Sequence, residues 1–199
     1  MQNIAPTAII LPNVILEDNI TIEDFCVIGI ETQNSKNKIT KIGSGSIIRS
    51  GSYIYQGNDI GKNFQTGNKV NIREDNIIGN EVSIGTLSVI EHNIKISNGV
   101  RIHSQAFIPE YSVLEDNCWI GPNVVLTNAK FPKHPNVKDN LRGPIIRKNA
   151  KIGANSTILP DIIIGSGSLI GAGSVITKNV DNNSIVVGNP GKKIKDIEY

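Results

Sequence analysis

Lys151 to Val180 reads KIGANSTILPDIIIGSGSLIGAGSVITKNV, and an isoleucine returns in it at every sixth position from Ile152 to Ile176. The same count runs through the centre of the chain, where Ile or Leu occupies every sixth position from Ile42 to Leu126 except at Thr66. A period of six fits neither an amphipathic helix nor a two-sided strand. It is typical of a solenoid in which each six-residue unit supplies one short strand and one corner.

We therefore predict an all-β fold, a parallel β-helix of about eight coils whose stacked aliphatic side chains form a continuous core. We treat residues 1–199 as one domain, with insertions at about 31–40 and 128–143 and a C-terminal tail at about 180–199. We interpret the first insertion as a surface turn. The second, a long protruding loop with several cations, two prolines of its own and Pro144 directly after it, is predicted to be functional. Aromatic residues, Phe64 among them, fall off the core positions and are expected at contacts between subunits.

Composition narrows the class of protein. A net charge of +2 without a basic stripe argues against a nucleic-acid partner. The N-terminus lacks a basic segment and a long apolar run, so we expect no signal peptide, no membrane span and a cytoplasmic protein. Cys26 and Cys118 fall two residues before core positions and are predicted to be buried free thiols. The three histidines lie at unrelated positions of the repeat, which argues against a metal site.

Several segments resemble the acyltransferases of the left-handed hexapeptide-repeat family. They are CWIGPNVVLTNAKFP, the segment from Lys151 to Val180 quoted above, and VVGNPGKKI near the end of the chain. The resemblance implies a left-handed β-helix, a homotrimer with active sites between neighbouring helices, and acyl-coenzyme A as co-substrate. Through TGNKVNIREDNIIG and SVIEHN the chain is most similar to N-acyltransferases of nucleotide-linked amino sugars, which serve bacterial surface glycans. Asn68 stands where many of these relatives have His, which is a departure from their pattern.

Three six-residue units make a coil of 18 residues, so residues 18 apart should stack. Two positions after the core residue, this spacing predicts one column along an edge, called here the polar column: Gln56, Glu74, His92, Glu110 and Asn128. We predict that His92 accepts the proton of an attacking amine and that Glu74 or Glu110 orients its ring. An amine nucleophile needs no protein base in every case, so a purely substrate-binding role for His92 stays open.

The remaining site residues follow from position and resemblance. We expect the substrate to contact five residues beside the column, on another edge and in the loop: Asn71, Arg73, His103, Asn128 and Lys130. The resemblance places coenzyme A along the C-terminal coils, where small corner residues leave room for the pantetheine chain: Gly153, Ala154, Gly171 and Ala172. Lys192 and Lys193 suit the 3'-phosphate of the coenzyme.

Two other functions remain open from the sequence. O-acetyltransferases of galactosides and maltose carry a Thr-x-His-Pro element after a similar coil, with the His as base. Here Ala129 takes that His position and His134 lies five residues further on. The third possibility is a trimeric scaffold that binds a ligand without catalysis. The acyl group, the sugar, and the choice between a UDP- and a dTDP-linked acceptor are not readable from the sequence.

Overall fold

The computed structural model describes residues 2–197 and consists of short parallel strands joined by tight corners. The strands form three sheets that enclose a narrow prism. The first sheet contains Asn3–Ile4, Thr21–Ile22, Ile47–Ile48, Gln65–Thr66, Ser83–Ile84, Arg101–Ile102, Trp119–Ile120, Lys151–Ile152, Leu169–Ile170, Ser184–Val187 and the antiparallel Lys192–Asp196.

The second sheet contains Ile9–Ile10, Val27–Ile30, Tyr53–Tyr55, Asn71–Ile72, Val89–Ile90, Phe107–Ile108, Val125–Leu126, Thr157–Ile158 and Val175–Ile176. The third contains Val14–Leu16, Thr40–Ile42, Asp59–Ile60, Ile77–Ile78, Lys95–Ile96, Val113–Leu114, Ile145–Ile146 and Ile163–Ile164. The only helical segment within residues 2–197 is a 3-10 turn, Lys138–Asn140.

The predicted all-β solenoid is therefore confirmed, but the predicted number of coils is wrong. The first sheet has ten parallel strands between residues 2 and 197, so the solenoid makes about ten coils rather than eight. The repeat weakens at the end of the chain, where Ile170 pairs with Val186, sixteen residues on. That shortened spacing hid the last coil from a strict count of six. The left-handed course of the coils stays a prediction.

Isoleucine stacking forms the core. Ile54, Ile72, Ile90 and Ile108 follow one another in register along the second sheet, and each is fully buried. Burying one such side chain contributes about 1.5–3 kcal/mol. Phe64 also lies in the core at 0% exposure, so its predicted surface position is wrong. It lies two residues before the core position Thr66, and the same place in neighbouring units is taken by Val70 and Val82, which are also fully buried.

Corners depend on the left-handed backbone conformation. One residue near each corner has a positive φ, for example Asn63 at 55°, Asn93 at 57° and Asn117 at 56°. Asn adopts this conformation more readily than most residues, and Gly does so without strain. The frequent Asn and Gly in the sequence therefore reflect the need for three sharp corners in each coil.

Two insertions interrupt the coils without breaking their register. Ile28 pairs with Ile54, 26 residues on, and Leu114 pairs with Ile146, 32 residues on, instead of 18. Most of the first insertion is an exposed turn, as we predicted. Its Ser35 is fully buried, because the segment folds back across the edge of the prism. The second insertion is closed at its base by a hydrogen bond from Arg142 N to Asn128 O, at 2.9 Å.

Cys26 and Cys118 are both buried and free, as predicted. Burial raises the pKa of Cys118 to about 12. The thiols therefore belong to the packed interior.

Candidate active site

The polar column is present in the structure. Each of its members follows a strand of the second sheet, and these strands pair in register at a spacing of 18 residues. One coil adds the spacing of adjacent strands, about 4.8 Å. His92, Glu110 and Asn128 are therefore neighbours along one edge although they are far apart in the chain.

These three residues form a continuous chain of polar contacts. His92 Nε2 lies 3.5 Å from Glu110 Oε1, and Asn128 Nδ2 donates a hydrogen bond to Glu110 Oε2 at 2.7 Å. The side chains of His92 and Glu110 are 24% and 23% exposed, so both groups are accessible yet partly shielded from water. Asn128 is the first residue of the second insertion. The chain of contacts thus ends where the loop begins.

Asn93 contacts the other ring nitrogen of His92. Its Nδ2 lies 2.8 Å from His92 Nδ1, so an amide that donates there leaves the proton of a neutral ring on Nε2, facing Glu110. The ring of Tyr111 meets His92 edge-on at 6.2 Å. The sequence prediction missed both neighbours. Their adjacency to His92 and Glu110 in the chain was the available signal.

Glu74, the other carboxylate offered for His92, has different partners. Arg73 donates to it twice, from Nε to Oε2 at 2.9 Å and from Nη2 to Oε1 at 3.2 Å. Thr32, from the first insertion, donates to Oε1 at 3.2 Å. Burial raises the pKa of Glu74, but the hydrogen bonds and charge of Arg73 outweigh burial and leave that pKa below 4.5. Of the two carboxylates, the geometry therefore favours Glu110 as the partner of His92.

Arg73 is held on several sides. Its Nη1 lies 3.4 Å from Glu91 Oε2, and its guanidinium carbon lies 5.3 Å from the centre of the Tyr55 ring. These contacts leave little of the guanidinium for a ligand.

Two amide oxygens near the column lack partners in residues 2–197: Gln56 Oε1 and Asn71 Oδ1, both buried. Asn71 belongs to the outer row of the second sheet, between Tyr53 and Val89. Its oxygen is an unused acceptor, and because it is buried it meets a ligand only when the Asn71 side chain turns outward.

The second insertion encloses a cavity of about 360 Å³ beside Asn128. Lys130, Phe131, His134 and Arg142 line it from the loop, and Asp161 lines it from the next coil. A cavity of this size is within the range of small-molecule sites. Two predicted residues, Asn128 and Lys130, therefore lie together at this opening.

His103 lies on a different edge, after strand Arg101–Ile102 of the first sheet. Arg101 Nε donates to His103 Nε2 at 3.2 Å, and the His103 ring lies 4.6 Å from the Trp119 ring. Burial, and then the charge of Arg101, lower the pKa of His103 below 6.5. The structure does not bring His103 to His92 within one chain, because the second sheet separates their edges.

The small residues predicted to contact coenzyme A also lie at corners that directly follow strands of the first sheet. Ala154 is half-buried and Ala172 exposed, so the corner presents little side-chain bulk. The nearby glycines are explained by coil packing alone, because a Cβ at Gly153 would lie 2.5 Å from Ala172 N and one at Gly171 2.6 Å from Val187 Cγ1. A thin chain fits such an edge.

The two predicted phosphate-binding lysines lie on strand Lys192–Asp196 and are exposed. Lys193 Nζ is 2.6 Å from Asp196 Oδ1, so one of the two cations already has a carboxylate partner. No group of three His, Cys, Asp or Glu within residues 2–197 is placed to hold a metal ion. In that same range, no helix combines the length and the apolarity needed to cross a membrane.

Stacked six-residue coils with a polar edge define the class of hexapeptide-repeat proteins. Residues 143–178 match the family described as bacterial transferase hexapeptide (six repeats). The chain thus carries the repeat of these transferases, which confirms the resemblance read from the sequence.

Individual relatives extend the comparison. The bifunctional protein GlmU of Bartonella bacilliformis is 32% identical over 168 residues, covering 78% of this chain and 32% of GlmU. The galactoside O-acetyltransferase of Escherichia coli is 32% identical over 129 residues, covering 58% of this chain and 64% of that protein. The chain thus spans less than two thirds of either relative. The structure of a UDP-N-acetylglucosamine acyltransferase from Campylobacter jejuni superposes with a TM-score of 0.80 at 16% identity, covering 98% of this chain and 75% of that one. This superposition shows a shared fold.

Proposed function

We propose that the chain is an acyltransferase that moves an acyl group, most simply acetyl, from acyl-coenzyme A to the amino group of a UDP- or dTDP-linked deoxyamino sugar. The observation that carries this proposal is the contact chain from His92 through Glu110 to Asn128 at the base of the loop. The transferase family match and the similarity to a galactoside O-acetyltransferase support acyl transfer. Support for a nucleotide-linked amino sugar comes from the segments TGNKVNIREDNIIG and SVIEHN.

In the proposed reaction, the amine of the sugar attacks the carbonyl carbon of the thioester. A carbon–nitrogen bond forms, the carbon–sulfur bond breaks, and the thiol leaves. The coenzyme supplies the activated acyl group, and the small corner at Ala154 and Ala172 fits its pantetheine chain.

His92 takes the proton that the amine loses. Since its Nε2–H faces Glu110, the accepting atom is Nδ1, which is freed when the exposed Asn93 amide turns away. Glu110 then stabilises the imidazolium as an ion pair, and Asn128 keeps Glu110 in position. His92 finally returns the proton to the thiolate. Glu74 has a positioning role, because its pairing with Arg73 and Thr32 fixes the coil that lies next to the coil of His92.

The surface of the second sheet supports assembly of the predicted homotrimer. Its outward row is mainly apolar, and three of its side chains are large and exposed: Tyr53 at 46%, Phe107 at 36% and Val125 at 38%. A contiguous apolar surface of this kind is typical of a protein contact. Burial of this row between copies would also enclose Asn71.

The test is release of free thiol from acetyl-coenzyme A by the purified protein with a panel of UDP- and dTDP-linked amino sugars. We expect release with at least one of them, and a loss of at least about 100-fold in kcat for His92→Ala, the usual range for removing a general base. Glu110→Gln should lose less, because the ring remains. Lys95→Gln, an exposed change on the third sheet, is the matched control. Turnover retained in His92→Ala would remove His92 as the base.

A second candidate is an O-acetyltransferase acting on a free sugar, favoured by the similarity to the galactoside O-acetyltransferase. His134 would then be the base. It is exposed, and its Nδ1 accepts from Asn136 N at 3.2 Å, so this contact must open before Nδ1 of the neutral ring can take the proton of the attacking hydroxyl. Thiol release with galactoside or maltose alone, abolished in His134→Ala, would select this function.

A further inference from the structure

A second cavity, of about 230 Å³, runs along the outer surface of the first sheet, away from the polar column. Gly67 and Gly85 form its floor, so the backbone is uncovered there. Arg101 and His103 form a wall at one end. From the Gly67 corner to the His103 corner, the groove spans two coils, a length of about 10 Å at the usual strand spacing. We call this cavity the Arg101 groove.

The wall of the Arg101 groove is ordered by its own contacts. Because Arg101 Nε donates to His103 Nε2, a neutral His103 carries its proton on Nδ1 and can donate it. The tilted stack of His103 on Trp119, with 56° between the ring planes, supports the ring from behind. The two terminal nitrogens of Arg101 make no hydrogen bond to residues 2–197, so the guanidinium has donors to spare.

Charge and polarity in the Arg101 groove favour an anion. None of its eleven lining residues is Asp or Glu. Hydroxyl groups of Ser83, Thr86 and Ser104 line it beside Arg101. Thr86 Oγ1 accepts from Asn68 N at 3.2 Å, which leaves its hydroxyl proton free to donate. The backbone N–H of Gly85 bonds Ile102 O in the next coil, so the donors available to a ligand are side chains.

We propose that the Arg101 groove binds a diphosphate group. A guanidinium fork is suited to phosphate oxygens, and hydroxyl donors complete the neutralisation. The length of two coils suits two linked phosphates better than one. The inference rests on the proposed function, in which the diphosphate belongs to the nucleotide-linked sugar. Coenzyme A also contains a diphosphate, and the test must separate the two sources.

Within one chain, the groove and His92 lie on opposite edges of the second sheet. A sugar whose diphosphate occupies the groove of one copy is therefore delivered to His92 of a neighbouring copy. The groove thus assigns Arg101 as a substrate-binding residue contributed across the subunit contact.

Trp119 makes the first test direct, because it is the single tryptophan of the chain and contacts His103. Titration with inorganic pyrophosphate should change the tryptophan fluorescence in a saturable way. We expect Arg101→Gln to weaken the Kd at least about 10-fold, as loss of a charge-assisted hydrogen bond implies. Lys95→Gln makes the same change of charge on the third sheet and should leave the Kd unaltered. An unaltered Kd in Arg101→Gln overturns the inference.

Competition separates the sources of the diphosphate. UDP or dTDP should displace pyrophosphate, and coenzyme A should not. Displacement by coenzyme A alone would overturn the assignment to the acceptor. Thiol release with a KM for the nucleotide sugar that is unchanged by Arg101→Gln would overturn the groove and leave the proposed function standing. Pyrophosphate binding that depends on Arg101, without thiol release on the whole panel, would support the groove and count against the proposed function.

The contribution across copies has its own test. Subunits with Arg101→Gln and subunits with His92→Ala are co-expressed with different tags, and mixed assemblies are isolated. In a trimer that contains both variants, one of the three sites combines an intact groove with an intact His92 from the neighbour, so turnover at low substrate should recover to about one third of the native value. No recovery over either parent would overturn the assignment of the two residues to different copies.

Discussion

Arg73→Gln removes the cation that faces the buried Glu74. The carboxylate is 2% exposed and receives two hydrogen bonds from Arg73, at 2.9 and 3.2 Å. In the variant, the hydroxyl of Thr32 is the main remaining side-chain donor. Glu74 must then either keep a poorly paired charge in the interior or fold in its protonated form.

The size of the effect follows from these two alternatives. Each hydrogen bond to a charged group contributes about 1.5–3 kcal/mol, so losing two costs at least about 3 kcal/mol. Protonation sets the scale of the loss, because a carboxyl with an ordinary pKa of 4.5 is protonated at pH 7 at a cost of about 3.4 kcal/mol, or 1.4 kcal/mol for each pH unit, and the lowered pKa of Glu74 in the native protein adds to this cost. We therefore expect Arg73→Gln to lower the free energy of unfolding by about 3 kcal/mol at pH 7.

We expect the loss of stability in Arg73→Gln to become smaller as the pH falls. In the native protein the folded pKa of Glu74 lies below 4.5, so its stabilisation is present above pH 4.5 and is lost as the pH falls through the folded pKa. In Arg73→Gln the folded pKa rises above 4.5, so the penalty shrinks as the pH falls towards that value. At pH 5 we expect a difference of about 1 kcal/mol.

Urea unfolding followed by circular dichroism, at pH 7 and pH 5, measures both values. The double variant Arg73→Gln/Glu74→Gln is the matched control, because it removes the charge on both sides and should recover part of the loss at pH 7. A loss below about 1 kcal/mol at pH 7, or the same loss at both pH values, would refute the reasoning.

Two further predictions concern the interior and the corners. Burial raises the pKa of the Cys118 thiol to about 12, so at pH 8 this thiol should react with a disulfide reagent less than about one hundredth as fast in the native protein as in urea. The rates are measured in a Cys26→Ala background. Equal rates would mean that the thiol is not buried. Gly85→Ala should lower the free energy of unfolding by about 1–3 kcal/mol, because its Cβ would lie 2.4 Å from Ser104 N. Gly173→Asn should change it by less than about 0.5 kcal/mol, since φ is 70°, no atom lies within 4 Å, and Asn occupies this conformation at other corners. Urea midpoints that rank the two glycine variants in the reverse order would contradict this account.

Period and spacing predicted most of the architecture. The six-residue count identified the core residues, and the 18-residue coil placed His92, Glu110 and Asn128 on one edge. Phe64 was misplaced because aromatic rings were assigned to the surface as a class, whereas the position two residues before a core residue is buried here as it is at Val70 and Val82. The last coil was missed because its spacing is sixteen residues.

Side-chain partners were less predictable. The pattern put Glu74 and Glu110 at equal distances from His92, and only the structure separates them, through Arg73 next in the chain and Thr32 from 42 residues away. The contact of Thr32 depends on how the first insertion folds back, which no period records. The Arg101 groove was missed for a related reason. It requires glycines at the corners of two coils, Gly67 and Gly85, and the long side chain of His103 at the same corner of the third, a difference between positions that the repeat treats as equivalent.

The closed base of the second insertion has a consequence for the evolution of such chains. Since Arg142 N bonds Asn128 O and the coils resume in register, the residues between them can change in number or kind without disturbing the stack beneath. A new loop grafted between these two positions would present different chemistry to the opening beside Asn128 while the rest of the protein folded as before. Acceptor preference could therefore diversify by loop exchange rather than by gradual redesign of the prism.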